Sequence, residues 1–350
     1  METIVRNVIE DAGCAYEDAA VVLRKGGLVA FPTETVYGLG GNALDETAAK
    51  RIYEAKGRPS DNPLIVHIAD IQALEELTAF VPEQAKKLAD AFWPGPLTMV
   101  LQKSEKVPLG TTGGLQTVAV RMPNHPGALR LIKESGIYLA APSANISGRP
   151  SPTLAEHVYE DLNGKIPMIL DGGMVQVGIE STIVDLTEEI PVILRPGCIT
   201  KEMLEEVVGM VKMDPALEAS GMDQNVKPKA PGMKYKHYAP KAQLTIVTGE
   251  RDKVVAKINE NIKRQGADGK KAGVIATEET KELYQSDYVI SIGSREEEGA
   301  IARGLYKILR DFDHLQVDVI YAESFEKDKM GDAIMNRLLK AAGYLLEYAQ

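Results

Sequence analysis

The sequence predicts an α/β protein with two domains joined by a linker. The chain has 350 residues, of which 44% are hydrophobic, so it is long enough for two ordinary domains with a core each. Apolar strand-like segments alternate with amphipathic helical segments in the first part of the chain. Farther on, strand and helix alternate regularly, which is typical of a parallel sheet. We therefore assign residues 1–210 to a first domain, 211–241 to a linker and 242–350 to a smaller, Rossmann-like domain.

The first loop of interest follows a buried strand. A short helix at residues 16–25 stops at two glycines, and a strand at residues 28–31 comes next. Residues 32–41 then combine threonine and tyrosine hydroxyls, one carboxylate and several glycines, which let a backbone approach a ligand closely. This composition fits an ordinary β-turn and a ligand-binding loop equally well.

The stretch at residues 56–67 is a stronger candidate for a ligand-binding turn. It connects a predicted helix to an apolar strand at residues 64–68 and contains two prolines, which make it rigid. Lys56 offers a point charge and Arg58 a planar fork, and both suit an anion such as a phosphate. The alternative is a solvated basic loop, but the prolines and the buried strand favour an anion site.

Polar side chains also follow other predicted strands. Arg121 ends the strand at residues 117–123, where α/β sheets place ligand contacts. Ser143 and Asn145 follow a buried strand, and they suit either phosphate or ribose oxygens or the start of a helix. The other predicted elements of this domain are helices at 45–55, 71–78, 83–92, 125–135 and 200–208 and strands at 97–102, 138–142, 168–170, 179–185 and 192–194.

The linker has an unusual composition for an inert tether. Residues 224–241 contain five lysines and no acidic residue, and prolines stiffen the stretch. Tyr235 and Tyr238 make its centre aromatic, so we expect it to fold back onto a surface of the protein.

The second domain reads as a four-stranded parallel array without a cofactor. Its first turn, at residues 247–251, lacks the glycine pattern of a dinucleotide site. The predicted strands are 243–247, 272–276, 287–292 and 317–322, and the predicted helices are 251–264, 278–284, 296–312 and 331–348.

Composition limits the classes of function. The net charge of −10 disfavours wrapping by nucleic acid, so an RNA contact needs a local basic patch. Cys14 and Cys198 are the two cysteines, which argues against a zinc site or a disulfide framework and fits a reducing compartment. We find neither a signal-peptide pattern nor an apolar run of membrane-spanning length, and we expect a soluble, cytoplasmic protein without membrane contact.

Together these motifs resemble the YrdC-like threonylcarbamoyl-AMP synthase family in its long, two-domain form, almost from end to end. The resemblance implies a YrdC-like twisted mixed sheet with helices and a basic cleft, followed by a Rossmann-like parallel α/β domain. It rests on residues 32–40 (PTETVYGLG), 56–67 (KGRPSDNPLIVH), 93–98 (WPGPLT), 141–148 (APSANISG), 180–185 (ESTIVD), 194–197 (LRPG) and 231–240 (PGMKYKHYAP).

The resemblance also implies an activity. Such an enzyme, a nucleotidyltransferase, joins L-threonine, bicarbonate and ATP into threonylcarbamoyl-AMP and releases pyrophosphate. Downstream tRNA threonylcarbamoyl-transfer proteins then modify an adenosine next to the anticodon, so the enzyme itself does not require a tRNA contact. Mg²⁺ is inferred as the companion of the ATP polyphosphate, with no protein residue assigned to it.

By resemblance, the site residues fall into three groups. The catalytic group is Lys56, Arg58, Ser143 and Asn145. The ATP contacts are Arg58, Asn62, Thr117, Ser143, Ser151, Arg195 and a linker tyrosine, Tyr235 with Tyr238 in reserve. The L-threonine contacts are Thr35, His67, Arg121, Ala141 through its backbone, and Ser181.

Some roles stay open at this level. Adenylation needs cations around the polyphosphate rather than a covalent nucleophile, and the arginines and Lys56 supply them. His67 is either a base or a hydrogen-bond donor, and Glu34 and Glu180 are acidic candidates for the cleft. A basic cleft also suits two other functions, an RNA-binding module or a carbamoyltransferase that uses carbamoyl phosphate.

Overall fold

Short apolar runs, such as LTMVLQ at Leu97–Gln102, form the strands of this protein because their side chains are buried in its cores. The computed structural model describes residues 2–9, 13–217, 228–231, 237–325 and 330–350. The chain divides into two compact units, Met1–Ser147 with Ser151–Tyr235, and Gly148–Pro150 with Lys236–Gln350. Both units are α/β, as the sequence predicts.

Within the described residues, the first unit contains one mixed sheet of eleven strands. The strands are β1 (Ile4–Asn7), β2 (Val29–Phe31), β3 (Gly38–Asn42), β4 (Ile65–His67), β5 (Leu97–Gln102), β6 (Thr117–Arg121), β7 (Leu139–Ala141), β8 (Met168–Asp171), β9 (Thr182–Asp185), β10 (Val192–Arg195) and β11 (Lys212–Met213). Their order across the sheet is β1-β8-β2-β3-β7-β4-β6-β5-β9-β10-β11. β4 runs parallel to β6 and antiparallel to β7, so the expected mixed sheet is confirmed.

Helices cover one face of this sheet and part of the other. They are α1 (Ala15–Arg24), α2 (Glu46–Lys56), α3 (Ala73–Leu77), α4 (Glu83–Phe92), α5 (Pro126–Ser135), α6 (Ala155–Leu162) and α7 (Lys201–Val208). The main core lies between the first face and α2, α3, α4, α6 and α7. On the opposite face, α1 and α5 pack on the β2, β7 and β8 side of the sheet.

The rest of this second face carries a separate apolar cluster, which we call the floor. The side chains of Ile65 and Ala141 lie on the same face, because the two residues are directly paired in β4 and β7. Within the described part of the chain, no helix residue belongs to the floor cluster, and Ala230 of the linker packs on it instead. The floor consists of Ile65, Val100, Ala119, Ile183 and Leu194.

Strand β3 was expected to be part of a loop, and this prediction was wrong. A Cβ atom on Gly40 would lie 2.8 Å from the ring of Phe31, and one on Gly38 would lie 3.1 Å from the same ring. The glycines are therefore strand residues that make room for an aromatic ring on the paired strand β2.

Within the described residues, the second unit contains one parallel sheet of five strands. The strands are β12 (Gln243–Thr248), β13 (Ala272–Ala276), β14 (Tyr288–Ser291), β15 (Val319–Glu323) and β16 (Leu346–Tyr348), in the order β14-β13-β15-β12-β16. Its helices are α8 (Arg251–Ala267), α9 (Glu298–Leu315) and α10 (Gly331–Ala341). Across the described ranges, no helix combines the length and the apolarity needed to cross a membrane.

The predicted parallel array is confirmed, with two local corrections. Residues 331–348 are a helix that ends at Ala341 and a fifth strand, since Gly343 and Tyr344 adopt positive φ values of 61° and 64° and break the helix. The predicted helix at residues 278–284 is only a 3₁₀ turn, Lys281–Leu283.

Candidate functional site

Lys56 ties the end of α2 to the loop that follows β7. Its ammonium donates to the backbone carbonyls of Ser143 and Asn145, and the residue is 1% exposed. In return, the carbonyl of Lys56 accepts from the backbone amide of Ser147. The Ser143 hydroxyl donates to Oδ1 of Asn145 at 2.5 Å. The structure thus brings three of the four proposed catalytic residues into direct contact, and Lys56 orders the loop that carries the other two.

The fourth, Arg58, stiffens its own turn. Its Nε and Nη2 donate to the carbonyls of Asn62 and Pro63 at 3.4 and 3.2 Å. The Tyr53 hydroxyl also donates to the carbonyl of Asn62, at 3.2 Å, and burial raises the pKa of Tyr53 to about 12, so this donor keeps its proton. The expected rigid turn is therefore present, and an arginine supports it as well as the prolines.

Asn62 presents an unused acceptor. The residue is 1% exposed, and its Oδ1 has no hydrogen-bond partner within the described residues. A buried acceptor of this kind is costly unless a ligand completes it. The register of β4 and β6, which pairs Ile65 with Ala119, carries Pro63 to the level of Thr117. Thr117 therefore lies beside the same turn, and these predicted ATP contacts share one end of β4.

Arg121 lies at the other end, paired with His67. Its Nε donates to the carbonyl of Gly95 at 3.3 Å and its Nη1 to the Thr35 hydroxyl at 3.0 Å. Its Nη2 lies 2.6 Å from Oε1 of Glu34, in an ion pair whose side chains are both 4% exposed. The sequence indicated Glu34 only as an acidic candidate, and the ion pair explains why a carboxylate is buried here.

His67 is a neutral group at physiological pH. Burial, followed by the charge of Arg121, lowers the pKa of His67 from 6.5 to about 3. Its Nδ1 lies 3.1 Å from the carbonyl of Ile65, and its ring packs edge-on against Phe31. A group with this pKa is a poor general base near neutral pH, so the geometry favours the hydrogen-bonding role.

A β-bulge aims Arg195 at the floor. β10 pairs with β9 through Ile193 opposite Val184, but the next pair is Arg195 opposite Ile183, so Leu194 is an extra residue. The bulge turns Arg195 to the face of Ile183, whereas regular alternation would place it on the helix-covered face.

Arg195 then closes a polar cluster around Ser181. It donates to the carbonyl of Ser181 at 3.0 Å, to its hydroxyl at 3.1 Å and to the carbonyl of Pro231 at 3.3 Å. The hydroxyls of Thr98 and Ser181 lie 2.7 Å apart. Ser151, which is fully buried, donates to Oε1 of Glu180 at 2.6 Å. Thr98 was not predicted as a site residue, and the only feature of the sequence that pointed to it was the motif at residues 93–98.

Backbone contacts join these groups around the floor. The amide of Gly178 donates to the backbone carbonyl of Thr35, and the amide of Ala144 donates to the backbone carbonyl of Tyr37. Ala141 lies between the two ends, opposite Ile65. The predicted site residues of the first unit are therefore linked around the floor, and the two linker tyrosines are the exceptions.

The two linker tyrosines, Tyr235 and Tyr238, are not placed with the other site residues. Tyr235 lies outside the described residues. Tyr238 belongs to the second unit, where its ring packs on that of Tyr306 with 5.1 Å between the centroids. Its φ of 66° is unusual for a residue other than glycine.

Substitution of His67 tests its buried, neutral state. The unfolded chain binds a proton at this residue near pH 6.5 and the folded protein near pH 3, so His67 destabilises the fold progressively as the pH falls through that window. Between pH 7.5 and 5 we expect this residue to account for about 2 kcal/mol of lost unfolding free energy. Urea unfolding should show a smaller acid-induced loss for His67→Gln than for the wild type, and equal losses would contradict it.

Substitution of Lys56 tests its hold on the loop after β7. Lys56→Met keeps an unbranched stem but leaves two buried carbonyls without their charged donor, which costs about 2 kcal/mol or more. We expect a lower melting temperature and faster amide exchange at residues 143–147. Lys50→Met, on the exposed side of the same helix, is the matched control and should change little. A Lys56→Met protein that melts and exchanges like the wild type would contradict this role.

Comparisons with known proteins cover both units. Residues 21–197 match the family described as Telomere recombination (Sua5/YciO/YrdC), and residues 199–343 match the Threonylcarbamoyl-AMP synthase C-terminal domain. Proteins named threonylcarbamoyl-AMP synthase from Pyrococcus abyssi and Bacillus subtilis are 56% and 55% identical over 93% of this chain, and the match covers 93% and 92% of their lengths.

A solved structure agrees with these matches. The crystal structure of P. abyssi Sua5 complexed with L-threonine is 54% identical, with a TM-score of 0.93, and the match covers 99% of this chain and 100% of that one. The expected family and its enzymatic character are therefore confirmed. The chain belongs to the threonylcarbamoyl-AMP synthase family, in the form that carries a second, C-terminal domain.

Proposed function

We propose that this chain joins L-threonine, bicarbonate and ATP into threonylcarbamoyl-AMP and releases pyrophosphate. The observation that carries the proposal is that different polar groups lie at the two ends of β4, on either side of the floor. Basic and amide groups surround one end of β4, and a buried arginine with hydroxyl partners lies at the other. A triphosphate and a small hydroxylated amino acid fit such a pair of sites. Family membership and the printed name of the relatives support the same reaction.

The nucleotide end supplies charge rather than a nucleophile. In-line attack on the α-phosphorus builds negative charge on phosphate oxygens, and fixed cations stabilise it without reorganising. Arg58 lies at this end, whereas the register through β9, β5 and β6 places Arg195 level with Arg121. Both arginines are held by backbone carbonyls and are therefore pre-oriented. Lys56 fixes Ser143 and Asn145, whose hydroxyl and amide then face the same ligand. Asn62 offers its free Oδ1 to a donor of the nucleotide.

The amino-acid end suits a zwitterion that must lose a proton. Arg121 can take the carboxylate, while Thr35, Ser181 and the backbone of Ala141 contact the remaining polar groups. Carboxylation by bicarbonate needs a neutral amine, and a buried site beside cations favours the neutral form. His67, itself neutral, contributes a hydrogen bond to threonine and no charge.

Mg²⁺ is proposed as the companion of ATP. The Ser181 hydroxyl accepts from Arg195, and the Ser151 hydroxyl donates to the carboxylate of Glu180. Oxygen donors of this kind would suit a Mg²⁺ ion held mainly by the triphosphate. When bound, the ion would neutralise charge on the phosphate oxygens.

We extend the proposal to the linker and the cellular setting. Ala230 packs on the floor and Pro231 accepts from Arg195, which supports a linker, residues 211–241, that closes over the nucleotide with Tyr235 as the contact. Separate transfer proteins would then take the adenylate to tRNA in the cytoplasm, where ATP is available and where Cys14 and Cys198, which form no disulfide, stay reduced.

Pyrophosphate release tests this function directly. We expect release to require L-threonine and bicarbonate together with ATP. Arg121→Gln should raise the KM for threonine by one to two orders of magnitude, because a charge-assisted hydrogen bond is lost, and leave the KM for ATP nearly unchanged. Arg130→Gln, a surface arginine paired with Glu134, is the control and should behave like the wild type.

Three outcomes would contradict the proposal. Equal ATP cleavage without threonine would exclude the synthase reaction. Carbamoyl transfer from carbamoyl phosphate without threonine would indicate a carbamoyltransferase. Salt-sensitive tRNA binding without turnover of ATP would indicate an RNA-binding module.

A further inference from the structure

We propose that Thr33 and Glu34 are positioning residues, which fix the donors and acceptors of the amino-acid pocket before the amino acid binds. The inference rests on the proposed function, because it concerns the same pocket. Neither residue needs to touch the substrate. Thr33 acts through the hydroxyl of Thr35, and Glu34 acts through the guanidinium of Arg121.

Thr33 sets the direction in which Thr35 uses its proton. The carbonyl of Val36 can only accept, and it lies 2.7 Å from the Thr33 hydroxyl, so the single proton of Thr33 points there. The backbone amides of Thr35 and Val36 approach the same oxygen at longer distances, 3.2 and 3.3 Å. The Thr35 hydroxyl lies 2.9 Å from Thr33 and therefore donates to it.

Arg121 uses a second position on Thr35. A guanidinium has no acceptor, so its Nη1, at 3.0 Å, must donate to the Thr35 oxygen. Thr35 then has its proton on Thr33 and one lone pair on Arg121. The capacity that remains is a single acceptor, and it suits a donor of the ligand, either the amine or the side-chain hydroxyl of threonine.

Glu34 fixes the orientation of the Arg121 guanidinium through Nη2, whereas Thr35 contacts Nη1. Nη2 of Arg121 lies 2.6 Å from Oε1 of Glu34, and both side chains are buried. Charge and close contact together hold the pair. Burial alone would raise the pKa of Glu34, but the charge of Arg121 keeps it below the ordinary value, so the carboxylate is ionised at neutral pH.

The resulting pocket has a fixed polarity. Arg121 offers N–H groups to a carboxylate, and Thr35 offers an acceptor to an amine or hydroxyl. A ligand with the opposite arrangement would leave buried groups unpaired, which is the strongest basis for rejection in a polar site. Selection of an amino acid with a hydrogen-bond donor next to its carboxylate then depends on Thr33 and Glu34, which contact Thr35 and Arg121 rather than the ligand.

The test for Glu34 separates charge from shape. Glu34→Gln keeps the volume and removes the charge, so we expect the KM and the Kd for L-threonine to rise at least about tenfold while the KM for ATP changes less than about twofold. Glu76→Gln is the control. It removes a carboxylate that also bonds a cation, Lys106, and a hydroxyl, that of Tyr138, away from the pocket, and it should leave both constants unchanged.

The test for Thr33 uses a pair of substitutions. Thr33→Val removes the acceptor and frees the proton of Thr35, and we expect about a tenfold weaker binding of L-threonine by calorimetry. Thr33→Ser keeps the hydroxyl and should restore binding to within about threefold of the wild type. If Thr33 had a structural role alone, Thr33→Val would weaken the binding of threonine and of ATP together. Thr33→Ser would then not restore threonine binding selectively.

The outcomes are distinct. Unchanged threonine constants in Glu34→Gln and Thr33→Val, or parallel losses for threonine and ATP, would overturn the inference and leave the proposed function intact. A wild-type chain that neither binds L-threonine nor releases pyrophosphate in response to it would overturn both.

Discussion

A sheet face must be covered to bury its apolar side chains, and in the first unit helices cover only part of the second face. In the part of this unit that the structure describes, seven helices pack on one face and on part of the other, and the rest of that face is the floor. The floor side chains are nevertheless buried, Ala230 packs on them, and the ends of these strands carry polar side chains. The bulge at Leu194 and the position of Ala230 both belong to this helix-free part of the face.

Each buried cation of the site has fixed hydrogen-bonding or charged partners. The buried cations Lys56, Arg58, Arg121 and Arg195 are each held by backbone carbonyls, by a hydroxyl or by a carboxylate. Lys56 has Ser143 and Asn145, and Arg121 has Glu34. Buried charge is costly without such partners, and a partnered cation is also an oriented one. The same contacts that make the charges tolerable make the site rigid before ligands arrive.

Local chemistry explains what the sequence could and could not predict. The rigid turn at residues 56–67 and the position of Arg121 at a strand end follow from proline, charge and apolar runs, and they were predictable. The bulge that turns Arg195, the role of Gly40 beside Phe31 and the Glu34–Arg121 pair depend on partners distant in sequence. Residues 346–348 looked like the end of a helix because apolar periodicity cannot register a backbone reversal at Gly343 and Tyr344.

The central claim is that the floor and its two ends form one binding surface for a triphosphate and an amino acid. A crystal structure with a non-hydrolysable ATP analogue and L-threonine tests it most directly. The account predicts phosphates between Arg58 and Arg195 over the floor, with the threonine carboxylate on Arg121. Ligands bound on the helix-covered face, or at the second unit, would contradict it.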